Sequence, residues 1–473
     1  MMAIFMAAVE STIVATALPT IVADLGGFSL FSWVFTVYLL AQSVTIPIYG
    51  RFADLYGRKR VFFAGATVFL AASVLCGFAW SMGALIAFRA LQGIGAGAVQ
   101  PIATTIVGDI YTPTERARMQ GYISGVFGVA AIIGPALGAL VVEHGRWPIV
   151  FWINLPIGAV AFVMMGLYLR ERLEPRRHQI DYAGAALLVV GVGALLTALV
   201  QGPSLGGAAL AGLLAAAAVG LAALAVHERR AAEPMLALEL WRNRFIAVGN
   251  LGAFAIGAVM MAVAASLPIY VQAVLGQSAL AVGVVLAGMS ITWTIGSVVA
   301  GRLMIRTSYR VTATCGGAIL VVGTLSLIAL APPRGAGWAS LGSSLIGLGM
   351  GFCSTTFLVA VQAGVGWGQR GAATSSMMFM RFVGQAVGAA GFGAILNAGI
   401  HRHAPGSGGV IDRLMGAATR EGLSPAEVAH LAEAVARALH GVYLAAGVLA
   451  ALTIALGLCL PPGLGPSRQT RPS

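Results

Sequence analysis

The chain alternates between apolar runs of about 20 residues, the length of helix that crosses a bilayer, and short loops that hold nearly all of its charge. Fourteen such runs can be drawn, near 3–24, 30–49, 61–80, 83–108, 118–142, 148–169, 182–201, 207–227, 245–272, 279–301, 311–331, 337–361, 371–397 and 438–460. In hydrocarbon only helices and closed barrels satisfy every backbone group. The runs lack the ten-residue alternation of a barrel strand. Charged residues are 9% of the chain, against about a quarter in soluble domains. The expectation is an all-α membrane protein with 14 transmembrane helices.

Cations orient such a chain, because cytoplasmic loops are enriched in Arg and Lys. With the N-terminus inside, 20 of the 28 Lys and Arg residues fall on the cytoplasmic side and six outside, while Arg89 and Arg381 lie within spans. The expected placement is the plasma (inner) membrane, multi-pass, with both termini cytoplasmic. The net charge of +12 is therefore topological and does not point to nucleic acid. The N-terminal run lacks the basic lead and small-residue cleavage site of a removable signal and is read as the first span. Cys76, Cys315, Cys353 and Cys459 all lie in apolar runs without CxxC spacing, which argues against a disulfide framework or a metal site. No G-x-x-x-x-G-K-[ST] or H-E-x-x-H occurs, so a nucleotide-driven pump and a zinc hydrolase of that type are excluded.

An internal repeat organises the runs. Gly301-Arg-Leu-Met-Ile-Arg306 after span 10 is a degraded copy of Gly50-Arg-Phe-Ala-Asp-Leu55 after span 2. Gly347-Leu-Gly349-Met-Gly351 in span 12 echoes Gly93-Ile-Gly95-Ala-Gly97 in span 4. Spans 1–6 thus correspond to spans 9–14, with 7 and 8 inserted, and parallel repeats of this kind build many transporters. The expected divisions are a six-helix half over 1–170, a two-helix linker over 171–244, and a second half over 245–473. The last contains an external amphipathic segment at 398–437. There Ser424-Pro-Ala-Glu427 has the form of a capping box with proline at the first helical position. Val428, Leu431, Val435 and Leu439 follow as one apolar stripe.

Within the spans, charge is costly enough to mark function. An arginine at mid-helix costs at least ~2.5–3.5 kcal/mol on insertion scales, so Arg89 needs a partner or a wet cavity. Glu10 is the one carboxylate clearly inside a span, about 13 Å along the first helix. Desolvation and a nearby arginine act on such a carboxylate in opposite directions. In the loop Gly50-Arg-Phe-Ala-Asp54-Leu-Tyr-Gly57-Arg58-Lys59-Arg60, two glycines permit tight geometry and one carboxylate sits among four cations. Span 5 carries Gly134, Pro135 and Gly138, which bend the helix and thin its surface.

These stretches resemble the major facilitator superfamily. The loop matches that superfamily's G-x-x-x-D-x-x-G-R-K-R signature, and Arg89-Ala-Leu-Gln92-Gly93 its span 4 motif. Glu10-Ser-Thr-Ile-Val-Ala-Thr-Ala-Leu-Pro19 is similar to the span 1 signature of drug:proton antiporters, with glutamate in place of aspartate. Gly134-Pro135-x-x-Gly138 is similar to the antiporter motif of span 5, with Ala139 and Ala130 departing from it. Arg146-Trp147-Pro148-x-x-Phe151-x-Ile-Asn154-x-Pro156-x-Gly158 looks like the span 6 signature of the fourteen-spanner branch.

The resemblance implies roles. Glu10 would carry the coupling proton with Arg89 beside it. Gly50, Asp54, Gly57, Arg58 and Arg60 would form a conformational latch, with Asp54 facing the N-terminus of span 13. The span 5 motif would pack against the other half. Gln92, Asn154, Phe254, Met260, Trp293, Phe357, Met377 and Arg381 are weaker candidates for the substrate cavity. The implied function is proton-coupled export of small amphipathic or cationic drugs, with no cofactor beyond the proton. The partners are the small-molecule substrate, protons and membrane lipid. The alternative is a dedicated exporter of an endogenous metabolite, antibiotic or lipid precursor. Neither an adaptor nor an oligomeric state is legible in the sequence.

Overall fold

The computed structural model describes residues 1–26, 30–143, 147–169, 171, 181–202, 205–231, 238–277, 279–330, 335–404, 414 and 424–461. Fourteen long helices run through them: α1 Met2–Leu25, α2 Phe31–Tyr56, α3 Arg58–Gly77, α4 Met82–Ile110, α5 Pro113–Glu143, α6 Ile149–Tyr168, α7 Tyr182–Gln201, α8 Gly207–Glu228, α9 Arg244–Ile269, α10 Ala279–Arg306, α11 Tyr309–Ile328, α12 Gly335–Ala363, α13 Arg370–His403 and α14 Pro425–Cys459. No strand occurs among the described residues. Twelve helices are long and apolar enough to cross a membrane; α1, with its apolar stretch Met2–Val14, and α5, whose first turns are charged, are the other two.

Local chemistry sets the helix ends. Gly57 has φ +93°, a conformation open mainly to glycine, and it breaks α2 from α3 in one residue. Ser81 and Asp181 cap α4 and α7 by accepting from Ala84 N and Gly184 N. Pro268 near the end of α9 lacks an N–H, and the chain passes directly into a π-helical turn, Tyr270–Val274. At Ser424 the expected capping box is present. From it α14 runs unbroken into the last span, with Leu431, Val435 and Leu439 buried and Val428 half-buried. The segment expected as a loop from 398 is still α13 as far as His403; 405–413 and 415–423 lie outside the described residues.

The chain forms two compact units: Met1–Thr112, Gly125–Ala247 and Val361–Phe379 make the first, and Pro113–Ser124, Val248–Ala360 and Met380–Ser473 the second. The first has a core of Val9, Ile13, Val14, Leu85, Trp147 and Phe151, among others. The glycine repeat explains how each unit packs. In the first, a Cβ on Gly93 or Gly97 would collide with Tyr38 or Thr45 of α2, and one on Gly95 with Phe69 of α3. In the second, Gly347 and Gly351 meet Met289 and Trp293 of α10, and Gly349 meets Leu320 of α11. Small residues allow such backbone approach where lipid supplies no hydrophobic drive between helices. In the first unit α7 and α8 cross closely at Gly191 and Gly220, and Gln201 of α7 donates to Thr36 of α2 at 3.3 Å.

Candidate functional site

Glu10 of α1 and Arg89 of α4 form an ion pair, with 0% and 1% of their surfaces exposed. Arg89 Nη1 also donates to Gln92 Oε1 at 2.6 Å and its Nε to Val34 O at 3.2 Å, while the guanidinium lies 4.1 Å from the centre of the Tyr38 ring. Asn154 of α6 donates its amide N–H to the second carboxylate oxygen of Glu10. Gln92 in turn donates to Ser73 Oγ at 2.8 Å, and Ser73 to Phe69 O at 2.9 Å. Four helices therefore converge on one sealed charge pair, as burial requires, since a lone buried charge is prohibitive. A proton on Glu10 would turn an acceptor into a donor and cancel its charge, leaving Arg89 held by Gln92, a carbonyl and an aromatic face. Asn154 Oδ1 is buried without an acceptor's usual partner. A carboxamide offers a donor and an acceptor, so Asn154 can serve either form of Glu10. Gln92 and Asn154, expected on a cavity wall, are both members of this buried network.

A second cluster surrounds Arg58. Its Nη2 donates to Asp54 Oδ1 at 2.9 Å and to Trp367 O at 2.5 Å, and its Nε to Asp109 Oδ2 at 3.0 Å. The Trp367 ring lies 3.7 Å from the guanidinium carbon. Asp54 accepts from the backbone N–H groups of Gly371 and Ala372 at 3.0 and 2.7 Å, so it caps the N-terminus of α13. A carboxylate is favoured there by the unpaired N–H groups and the helix dipole. Arg370 Nη1 donates to Asp109 Oδ1 at 3.1 Å. Two carboxylates thus meet two guanidiniums, all within the first unit. Gly50 matters through proximity: a Cβ there would strike Ser375 and Gly371 O. Arg60, expected in the latch, is exposed. It lies two residues past Arg58, about 200° round the helix.

The sequence did not mark Asp109, Arg370 or Glu171 as partners in this cluster. The Glu171 carboxylate accepts from Arg58 N and Lys59 N at 2.9 and 3.1 Å, capping α3. Lys59 Nζ donates to Gly166 O and Leu169 O at 2.7 and 2.9 Å, capping α6. The one sequence signal was the rarity of acids at these span ends.

In span 5, Gly134 packs on α1, where a Cβ would collide with Thr12. The α5–α10 contact in the second unit is made by Gly121 on Val298, Gly301 on Ala117, and Ser124 donating to Ser297 Oγ at 2.9 Å. Thirteen residues separate Gly121 from Gly134, about 220° of helix rotation, which explains the different faces. Gly138 is buried, and the side chain of Pro135 lies outside the described residues. Phe357 is buried against Gly252, Met377 is buried, and Phe254, Met260, Trp293 and Arg381 are half-buried.

Twelve helices of membrane-crossing length among the described residues and a sealed ion pair between α1 and α4 define a polytopic membrane protein with charge buried inside its helices. The chain belongs to the Major Facilitator Superfamily, whose profile matches residues 1–389. It is 38% identical over 402 residues to Multidrug resistance protein 3 of Bacillus subtilis, covering 84% of this chain and 78% of the relative. It is 36% identical over 403 residues to the Multidrug transporter protein MdtP of the same organism, covering 84% and 74%. The solved structure of the human organic anion transporter MFSD10 has the same fold, with a TM-score of 0.63 over 95% of this chain and 97% of that one, at 16% identity.

Proposed function

We propose that the protein is a proton-coupled antiporter of the plasma membrane, with cytoplasmic termini, that exports small amphipathic or cationic drugs. The names of the two Bacillus relatives support drug efflux. The observation that carries proton coupling is the buried Glu10–Arg89 pair, because its charge can change only by a proton or a counter-ion reaching it. Outward exposure lets Glu10 take a proton; inward exposure lets it release the proton as cargo binds. The Arg58 cluster holds α13 against the α2–α3 turn in one state and opens in the other, so that the two repeats alternate access.

Exchange of one proton for a monovalent cation is electroneutral, and the pH gradient then supplies about 1.4 kcal/mol per unit. A second proton would add about 2.3 kcal/mol per 100 mV. The test is ethidium uptake into everted vesicles under an acid-interior gradient. Glu10→Gln is expected to abolish gradient-driven uptake while counterflow of ethidium persists. Undiminished gradient-driven uptake in that variant would remove Glu10 from the mechanism.

A further inference from the structure

Arg381 sits about 16 Å along α13 from its first residue, Arg370, near mid-membrane depth. Arg58, Arg89 and Arg370 each meet a carboxylate. Among the described residues Arg381 makes no ion pair, and its Nε is buried without an acceptor. The sequence explains why: no Asp or Glu occurs anywhere between Arg244 and Ile411, a stretch that contains all of α9 to α13. The arginine cannot be neutralised by its own helix or by the four before it. Nor can its turn of helix easily move. A Cβ on Gly257 of α9 would overlap Arg381 O, and one on Gly384 would overlap Phe254 O, so the two backbones are in contact at this level. The Phe382 ring lies 5.8 Å from the guanidinium carbon, and Phe254, on the facing turn of α9, is half-buried.

A permanent cation at this depth needs a counter-charge or water. We infer that the counter-charge is supplied by cargo: Arg381 receives the anionic group, carboxylate, sulfonate or phosphate, of an amphiphile whose apolar body packs on the neighbouring Phe254 and Phe382 side chains. This rests on the exporter reading and narrows its cargo. Glu10, Arg89 and Arg381 are the mid-span charges, so the sum is one positive charge with Glu10 ionised and two with it protonated. An anion leaving while one proton enters moves two positive charges inward, whereas exchange for a monovalent cation moves none. Export of an anion is therefore driven by an inside-negative potential as well as by pH.

The probe is radiolabelled taurocholate, whose sulfonate stays ionised across the working pH range, with ethidium as the cationic comparator. Everted vesicles containing the full chain are given an acid interior. The wild type is expected to accumulate taurocholate, faster when valinomycin and potassium impose an interior-positive potential. R381Q should lower the taurocholate-to-ethidium rate ratio about tenfold or more, the loss of a charge-assisted contact. R381K, which keeps the charge, should retain most of the ratio. Absence of protein-dependent taurocholate uptake, indifference of that uptake to potential, or an unchanged ratio in R381Q would each overturn the inference. Potential dependence is measured on the wild type, so the idea stays exposed even if R381Q fails to fold. Absence of protein-dependent uptake of both probes, ethidium included, would instead overturn the exporter reading itself.

Discussion

At the scale of single residues, Asn154 and Arg58 are where geometry makes the firmest demands. Asn154 donates to the oxygen of Glu10 that Arg89 does not take. Asn154→Leu removes that hydrogen bond and leaves the buried carboxylate one partner short. A bond to a charged group is worth about 1.5–3 kcal/mol. Purified Asn154→Leu should therefore unfold at a lower temperature than the wild type, and Asn154→Gln, which keeps the amide, should lose less. Equal unfolding temperatures for Asn154→Leu and the wild type would make Asn154 a packing residue only. Arg58 uses its whole fork, on Asp54, Asp109 and two backbone carbonyls, and stacks on Trp367. A lysine has neither the plane nor the donor count. Arg58→Lys should lose about 1.5–3 kcal/mol of contact energy, read as a lower unfolding temperature of purified protein. Arg58→Ala leaves Asp109 with Arg370 and Asp54 with only backbone N–H donors, and should lose more, up to about 3–5 kcal/mol.

Among elements, α4 is the most constrained, since it touches two helices through alternating glycines. Gly93→Val would force α4 off α2 at Tyr38, and overpacking of this kind costs about 1–3 kcal/mol. Gly83, on the same helix, has open space beside it. Gly83→Ala should be neutral or stabilise by up to about 1 kcal/mol through helix propensity. Thermal unfolding of the two variants side by side checks the claim, and equal effects would refute the interface. The ladder was readable in advance because small residues at intervals of two and four have few other uses in a span. The direction of Gly134 was not readable, since α5 carries glycines on more than one face and spacing alone does not say which neighbour each one meets.

For the whole molecule, we propose that α7 and α8 are a pair inserted between the repeats. α7 and α8 pack chiefly on each other, and α7 reaches α2 through Gln201 and Thr36. The ion pair and the Arg58 cluster draw nothing from either helix. Replacing residues 182–231 by a flexible linker should lower the unfolding temperature yet preserve gradient-driven ethidium uptake with its Glu10 dependence. If coupling disappears in a chain that still folds and inserts, the pair belongs to the transport cycle and the repeat alone is insufficient.

Apolar run length, arginine placement and the spacing of glycines determined the helices, their number and the repeat, because each is a property of neighbouring residues meeting lipid or one another. The sequence also singled out Glu10, Arg89 and Asp54, since charge within or beside a span is too costly to be idle. Partnership was decided only in three dimensions. Asn154 lies 144 residues from Glu10, and Trp367 lies 309 from Arg58. A helix that is apolar all round carries no mark of which face turns inward. Packing chose the face, and with it whether an amide lined a wall or held a carboxylate, and whether an arginine found its acid or, like Arg381, was left without one.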